Sequence, residues 1–577
     1  MASQFPDMII GIDVGTSGTG VAYASLQERH KHSSSDPRPP VRVLQHGGVD
    51  RTKEGKIPTQ VVYDTGNIAG GPVAWGFGCK TESKSADNRV YGFFFKQKIC
   101  PSQWSTKQPR ADQPNEKYLP PVNILYEHFL SKLYDHIGSE IRNTVLPPSD
   151  NNWESASIEF LFSVPATWNP EAVKNFKGLA SKAGFGREQQ HSVSTSLTEP
   201  EAVAAFTVNE EKKEREFQDG NNILIVDAGA GTVDLCLVKV DKEHEKYILL
   251  SELKPVIGED VGSSYIDGAF EELALQKLNE AGETKLGRPP ETLAWEMMMS
   301  RQFQNEKRNL EESFQDEGFR VEVPGLSSRD TFKQLEIAEG IEGIATKIDG
   351  LLDMMNVKDQ GQLDHIIFSG GLGSSKFVQK RLIERYNPQS PRESLRNVAF
   401  HSTSSPQLCV CQGLVYERMH NLYTGFSTFT KLSSQFSYGI GAIKNHREQI
   451  TKELHHRFGP GVPKPNLVGK VIIASSMNDK PPEYFTFGDG VYKHKIMYCD
   501  YSGPEISSIS GYRRKDEYQE VDFKFKITAA GSNGVEFECL SLNDGAKPSK
   551  SRAQVNAKFR ELDKSKELDL PLSVLLK

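Results

Sequence analysis

The chain has 577 residues, of which 37% are hydrophobic and 25% charged, and a formal net charge of −7. That balance excludes a charged disordered polymer, and a pI near 6.1 supplies no basic surface for nucleic acid. No apolar run approaches the roughly 20 residues needed to cross a bilayer, and the Met1–Met8 start lacks the pattern of a signal peptide. The expectation is a cytoplasmic chain of several domains, with neither nucleic acid nor membrane as a partner.

In chain order, Met8–Ile12 is the first short apolar run with the character of a buried strand. Glu28–Pro40 and Pro101–Pro121 are polar and rich in proline or charge, and read as surface insertions. Ile158–Val164 is a second buried strand. Trp168–Phe185 has helical spacing, with Asn169 as N-cap, Pro170 at the first helical position and Gly184 to close it. After a polar stretch at Asn209–Gly220, Ile223–Val226 predicts another buried strand. Helices are predicted over Asp267–Ala281, Glu291–Phe314, Thr331–Met355 and Ser374–Tyr386, with a strand at Leu363–Phe368 before the last. This alternation predicts an α/β architecture through about residue 425.

Beyond 425 the character changes. Val521, Phe523, Phe525 and Ile527 alternate with polar residues, and Asn533-Gly534 turns the chain into Val535–Cys539. Asp489-Gly490 similarly separates Tyr484–Phe487 from Val491–Tyr498, so a β-rich module is expected. Seven thinly spread cysteines read as free thiols in a reducing compartment. Cys409-Val-Cys411 has no partners at zinc spacing, and His455-His456 reads as a surface pair.

The strongest signal is a repeat. Ile9-Ile-Gly-Ile-Asp13-Val-Gly15-Thr16-Ser17-Gly18-Thr19-Gly20 has a counterpart in Ile223-Leu-Ile-Val-Asp227-Ala-Gly229-Ala230-Gly231-Thr232-Val-Asp234. Each is a strand, a tight Gly/Thr turn and a second strand, unlike the Rossmann or P-loop pattern in which glycines open a helix. Two such turns facing each other could cradle phosphate, with backbone N–H groups and hydroxyls as donors. Asp13 and Asp227 could then hold a hydrated Mg²⁺ through water. Two ordinary glycine-rich β-turns are the competing interpretation.

These residues resemble the actin-like ATPase superfamily, and specifically the seventy-kilodalton heat-shock (DnaK-like) chaperone family. Further segments are similar in the same order: Phe160–Glu171, Thr198–Ala205, Gly258–Ser264, Gln304–Leu310 and Ile366–Gly373. The resemblance implies a two-lobed domain over residues 1–425, with lobe one at about 1–200 and 376–425 and lobe two at about 201–375. It further implies a divergent substrate-binding-like β-sandwich over 426–577, opening at Ser437–Ile440. With Ala553–Glu567 the one candidate late helix, a lid-less branch of the family is expected.

Carried over residue by residue, the resemblance implies that Glu199 orients the attacking water and Lys96 stabilises charge on the γ-phosphate, with Lys98 a near competitor. Thr16, Ser17 and Thr232 would donate hydroxyls, and Asp13, Asp227 and Asp234 would organise metal and water. Gly15, Gly18, Gly229, Ala230, Gly231 and Gly262 would line the phosphates. Gly370, Gly371, Lys307 and Arg308 would border the nucleoside. ATP or ADP and Mg²⁺ are the implied ligands, with polypeptide clients or partner proteins beyond them. Three departures bear on affinity and turnover: Ala230 replaces a glycine, Ser374 stands where the family has an arginine, and Gln407 replaces an aspartate. A weak ATPase is the first expectation. A non-hydrolysing interaction scaffold and a small-molecule kinase of the same fold are the alternatives.

Overall fold

The computed structural model describes residues 5–26, 38–47, 53–80, 88–99, 115–144, 153–210, 217–241, 247–260, 262–281, 286–308, 321–324, 362–385, 398–431, 437–441, 454–458, 468–476, 491–500, 507–510, 517–529 and 535–541. The chain divides into two compact units, Met1–Ser433 and Ser434–Lys577.

The first unit is α/β and carries two mixed sheets. In one, strands β1 (Met8–Val14), β2 (Gly18–Ser25), β3 (Arg42–Val43), β4 (Lys56–Pro58), β5 (Ile158–Val164) and β6 (His191–Thr198) run in the order β6-β5-β1-β2-β3, with β4 also on β2. The other comprises β7 (Asn222–Ala228), β8 (Val233–Asp241), β9 (Leu249–Glu252), β10 (Ile257–Glu259), β11 (His365–Ser369), β12 (Ala399–Ser402) and β13 (Phe429–Lys431). Its order is β12-β11-β7-β8-β9-β13, with β10 also on β8.

The two sheets repeat one plan. β1 pairs antiparallel with β2 and parallel with β5, and β7 pairs antiparallel with β8 and parallel with β11. Asp13 stands opposite Gly20, and Asp227 opposite Asp234, at the ends of matching hairpins. The sequence repeat at 13 and 227 is therefore a repeat in topology.

Buried strands with alternating faces build a layered core. Ile10, Ile12, Phe160 and Phe162 face a cluster with Phe129 of α1 (Val122–Thr144) and Phe176 of α2 (Pro170–Lys182). Ile9, Leu161, Ile223 and Ile225 face the opposite way, into a cluster with Ala202 and Phe206 of α3 (Glu199–Glu210). Leu224 and Val226 turn to a third cluster with Phe270 of α4 (Ser263–Ala281), Trp295 of α5 (Pro290–Met298) and Phe303 of α6 (Arg301–Arg308).

Local chemistry fixes the helix ends. Asn169 caps α2 by accepting from Ala172 N at 2.8 Å, as its Asn-Pro sequence predicts. Thr198 N and Thr198 Oγ1 both donate to Glu201 Oε2, at 2.5 and 2.6 Å, which supplies the glutamate half of a capping box at α3. The single helix expected over 291–314 is instead two among the described residues. Ser300 Oγ accepts from Phe303 N at 3.1 Å, and so caps a new helix, α6. The helix expected over 331–355 lies outside the described residues.

Two domain edges shift from the sequence expectation. Val378 and Leu382 of α7 (Lys376–Arg385) sit in the core on the second sheet, and β12 pairs with β11. The return to the first sheet thus comes at α8 (Cys409–Thr424) rather than at 376, with Leu414 and Val415 in the cluster that holds Ile9. Leu250 of β9 pairs with Phe429, so the first compact unit runs past 425.

In the second unit, β14 (Ser437–Gly441), β16 (Val468–Ser476) and β17 (Val491–Asp500) form one antiparallel sheet. β15 (Leu454–Phe458), β18 (Ser507–Ser510), β19 (Glu517–Ala529) and β20 (Val535–Ser541) form another. The hairpin expected from 521 to 539 is present, with Phe525 opposite Cys539. The segments 484–487 and 553–567 lie outside the described residues.

Candidate functional site

The two hairpin turns meet. A Cβ placed on Gly231 would lie 2.2 Å from Thr16 Oγ1, so the second turn approaches the first as only glycine allows. Thr232 Oγ1 donates to Asp234 Oδ2 at 2.5 Å, and Ala166 N, from the loop after β5, donates to Asp234 Oδ1 at 3.1 Å. Gln97 Nε2 donates to Ser264 Oγ at 3.0 Å. Each of the last two bonds joins the first half of the unit to the second.

Lys96 and Glu199 form a buried ion pair at this junction. Lys96 sits in a 3₁₀ turn, Phe95–Lys98, entered through Phe94 with φ of 51°. Positive φ is rare for an aromatic residue, and such strain persists where surrounding packing imposes it. Glu199 is the first residue of α3, fixed there by the capping box. Lys98 is aimed elsewhere, 4.0 Å from Glu116 on the surface. A small cavity beside the pair is lined by Thr16, Lys96, Gln97, Pro165, Trp168, Thr232 and Asp260.

The carboxylates at the turns are short of solvent. Burial raises the Glu199 carboxyl, opposed by Lys96, and raises Asp234 well above the usual range. Burial, with Glu199 and Asp13 nearby, pushes Asp227 up to about 7 even though Ser369 Oγ donates to it at 2.8 Å. Asp260 is pushed up to about 6, chiefly by burial. Asp13 accepts from Ser163 Oγ at 3.4 Å and is paired with Lys56 Nζ at 3.0 Å.

The remaining expected residues are arranged differently. Gly262 packs beneath the second turn, where a Cβ would meet the Ala230 carbonyl oxygen at 2.5 Å. Ser263 N and Ser264 N, at the start of α4, donate to the carbonyls of Gly229 and Ala230. Gly15 and Gly18 shape the first turn, and Ser17 is exposed there. Gly370 has φ of 80° and lies against Ala228, whereas Gly371 faces open space. Lys307 Nζ donates to Asp267 Oδ1 at 2.6 Å, anchoring α6 to α4. The Arg308 side chain lies outside the described set.

No protein-family profile matches the chain. Heat shock 70 kDa protein 12A of Homo sapiens is 23% identical over 365 residues, covering 52% of this chain and 50% of that protein. Heat shock 70 kDa protein 12B of Homo sapiens is 22% identical over 330 residues, covering 47% and 45%. The chain is weakly similar to these heat shock 70 kDa proteins. It spans about half the length of the curated relatives it matches.

Against that family, Ala230 is tolerated without backbone strain. Among the described residues only Phe94 and Asn115 combine a side chain with positive φ. Residues outside the sequence expectation also gather here: Lys56, Gln97, Pro165, Trp168 and Asp260. Trp168 and Pro165 fall within a segment that resembles the family, but nothing in the sequence signals that Lys56, 43 residues from Asp13, reaches it. A hydrated magnesium ion needs open, anionic carboxylates. Asp13 is committed to Lys56, whose ammonium stands 3.0 Å from its Oδ2, so the site as arranged does not fit that ion.

Proposed function

We propose that the chain binds ATP or ADP between the two hairpin turns, hydrolyses ATP slowly, and couples the bound state to contacts made by its second unit. The observation that carries this reading is the junction of the turns. Thr16 meets Gly231 there, beside the Lys96–Glu199 pair and the cavity. Residues up to Ser433 form a two-lobed actin-like domain in this reading, and the later β-rich unit engages polypeptide clients or partner proteins in the cytoplasm. Among the described residues no helix is long and apolar enough to cross a membrane.

Phosphoryl transfer to water needs positioning and charge stabilisation more than covalent chemistry. Backbone N–H groups of the turns and the hydroxyl of Thr16 hold the phosphates, and Thr232, whose hydroxyl donates to Asp234 here, joins them when that hydroxyl rotates to the nucleotide. Lys96 offsets charge that develops on the transferred group. Glu199 orients the attacking water and accepts its proton, for which a carboxyl raised by burial is better suited than an ordinary one. Single-turnover hydrolysis tests this assignment. Glu199→Gln is expected to slow the chemical step by about 100-fold or more while ATP affinity holds; equal rates would remove Glu199 from the mechanism.

One observation favours a second reading, a non-hydrolysing nucleotide-dependent scaffold. Lys96 and Glu199, the two groups expected to do chemistry, satisfy each other in a buried pair. Tight ATP binding without turnover would select the scaffold.

A further inference from the structure

Lys56 reaches the Asp13 carboxylate by a built route. Its strand, β4, pairs with β2 so that Lys56 stands opposite Gly20. The aliphatic stem then runs beneath the first turn. A Cβ on Gly18 would lie 3.5 Å from Lys56 Cδ, and one on Gly20 would lie 3.4 Å from Lys56 Cε. The ammonium ends 3.0 Å from Asp13 Oδ2, and a Cβ on Gly15 would lie 3.7 Å from it. A fixed positive charge therefore already stands at the carboxylate expected to organise a divalent ion.

We propose that the Lys56 ammonium serves as the resident cation of this site, so that nucleotide phosphates bind here without requiring a divalent metal. This rests on the nucleotide reading given above. Lysine is a compact point charge with three donors, suited to bridging a carboxylate and a phosphate oxygen. Its ion pair occupies the Asp13 carboxylate that a metal would need.

The experiment has two arms on the full chain, wild type and Lys56→Met, with circular dichroism and thermal melting to verify folding. In the first, Mn²⁺ alone is titrated into nucleotide-free protein and followed by electron paramagnetic resonance. Wild type is expected to show no saturable site, and Lys56→Met to gain affinity by about tenfold or more once the adjacent charge is gone. In the second, ATP binding is measured by calorimetry with Mg²⁺ and with EDTA. Wild-type affinity is expected to change by less than about threefold between the two, and the variant to become at least about tenfold weaker in EDTA. A saturable Mn²⁺ site in wild type, or wild-type ATP binding that is abolished by EDTA, overturns the proposal. If Lys56→Met does not fold, these wild-type measurements still decide it. Absence of ATP binding under both conditions would overturn the nucleotide reading, while the Mn²⁺ arm would still decide whether Lys56 bars a metal.

Discussion

Lys96 and Glu199 each answer the other's charge in a buried pair. Both are buried, so removing one leaves an uncompensated charge in a region poor in water. Lys96→Met is expected to cost about 3–5 kcal/mol in urea unfolding, and Lys96→Met/Glu199→Gln to recover most of that. A single variant as stable as wild type would contradict the pairing. Asp227 gives a pH test. Its carboxyl is raised in the folded state from 3.8 to about 7, so the native state holds a proton the unfolded state has lost. Its contribution to stability is therefore full below pH 3.8 and declines as pH rises toward about 7. The slope has a limit of about 1.4 kcal/mol per pH unit for one proton. His46, lowered to about 3 mainly by burial, slopes the other way below pH 6.5. The reading is thus the difference between wild type and Asp227→Asn, which should vary across that window; a constant difference would refute it. At this scale the sequence motifs led to Asp13, Thr16, Glu199 and Asp227, because each lies on a strand end or helix start with its own signature. They could not separate Lys96 from Lys98, since only the 3₁₀ turn after Phe94 decides which lysine turns inward.

Elements were legible where one physical signal dominated. The strands at 8, 158, 223 and 365 are largely apolar because core clusters lie on both faces of their sheets, and this was visible as nearly continuous runs. α2 carried its own Asn-Pro start. α1 went unrecognised beside its proline-rich neighbour, although Leu125, Phe129, Leu133, Ile137 and Ile141 mark a buried stripe. α8 was read only for its cysteines. Burial pushes its thiols up, Cys411 to about 12, and the helix packs against α3. That crossing is close: a Cβ on Gly413 would lie 1.8 Å from the Ala202 carbonyl oxygen. Gly413→Ala should force the helices apart and cost about 1–3 kcal/mol by chemical denaturation; an unchanged midpoint would contradict that contact.

For the whole molecule, the duplication was readable because Asp, Gly and Thr recur in register, and the two sheets share the same central pairing, β5-β1-β2 in one and β11-β7-β8 in the other. The edges of the halves were not readable. Whether residues 376–385 and 399–402 join the first or the second sheet depends on long-range pairing between β11 and β12, which leaves no local mark. The compact unit ending at Ser433 is expected to fold and to bind ATP as the full chain does, measured by calorimetry on a fragment ending there; an unfolded fragment would contradict its independence.

The most direct test of nucleotide binding at the paired turns is hydrogen exchange with mass spectrometry, with and without ATP. Slower exchange is predicted in both 13–20 and 227–234 at once, because the turn amides of both hairpins would face the same phosphates. Unchanged exchange in these two segments at saturating ATP, or protection of one without the other, would contradict it.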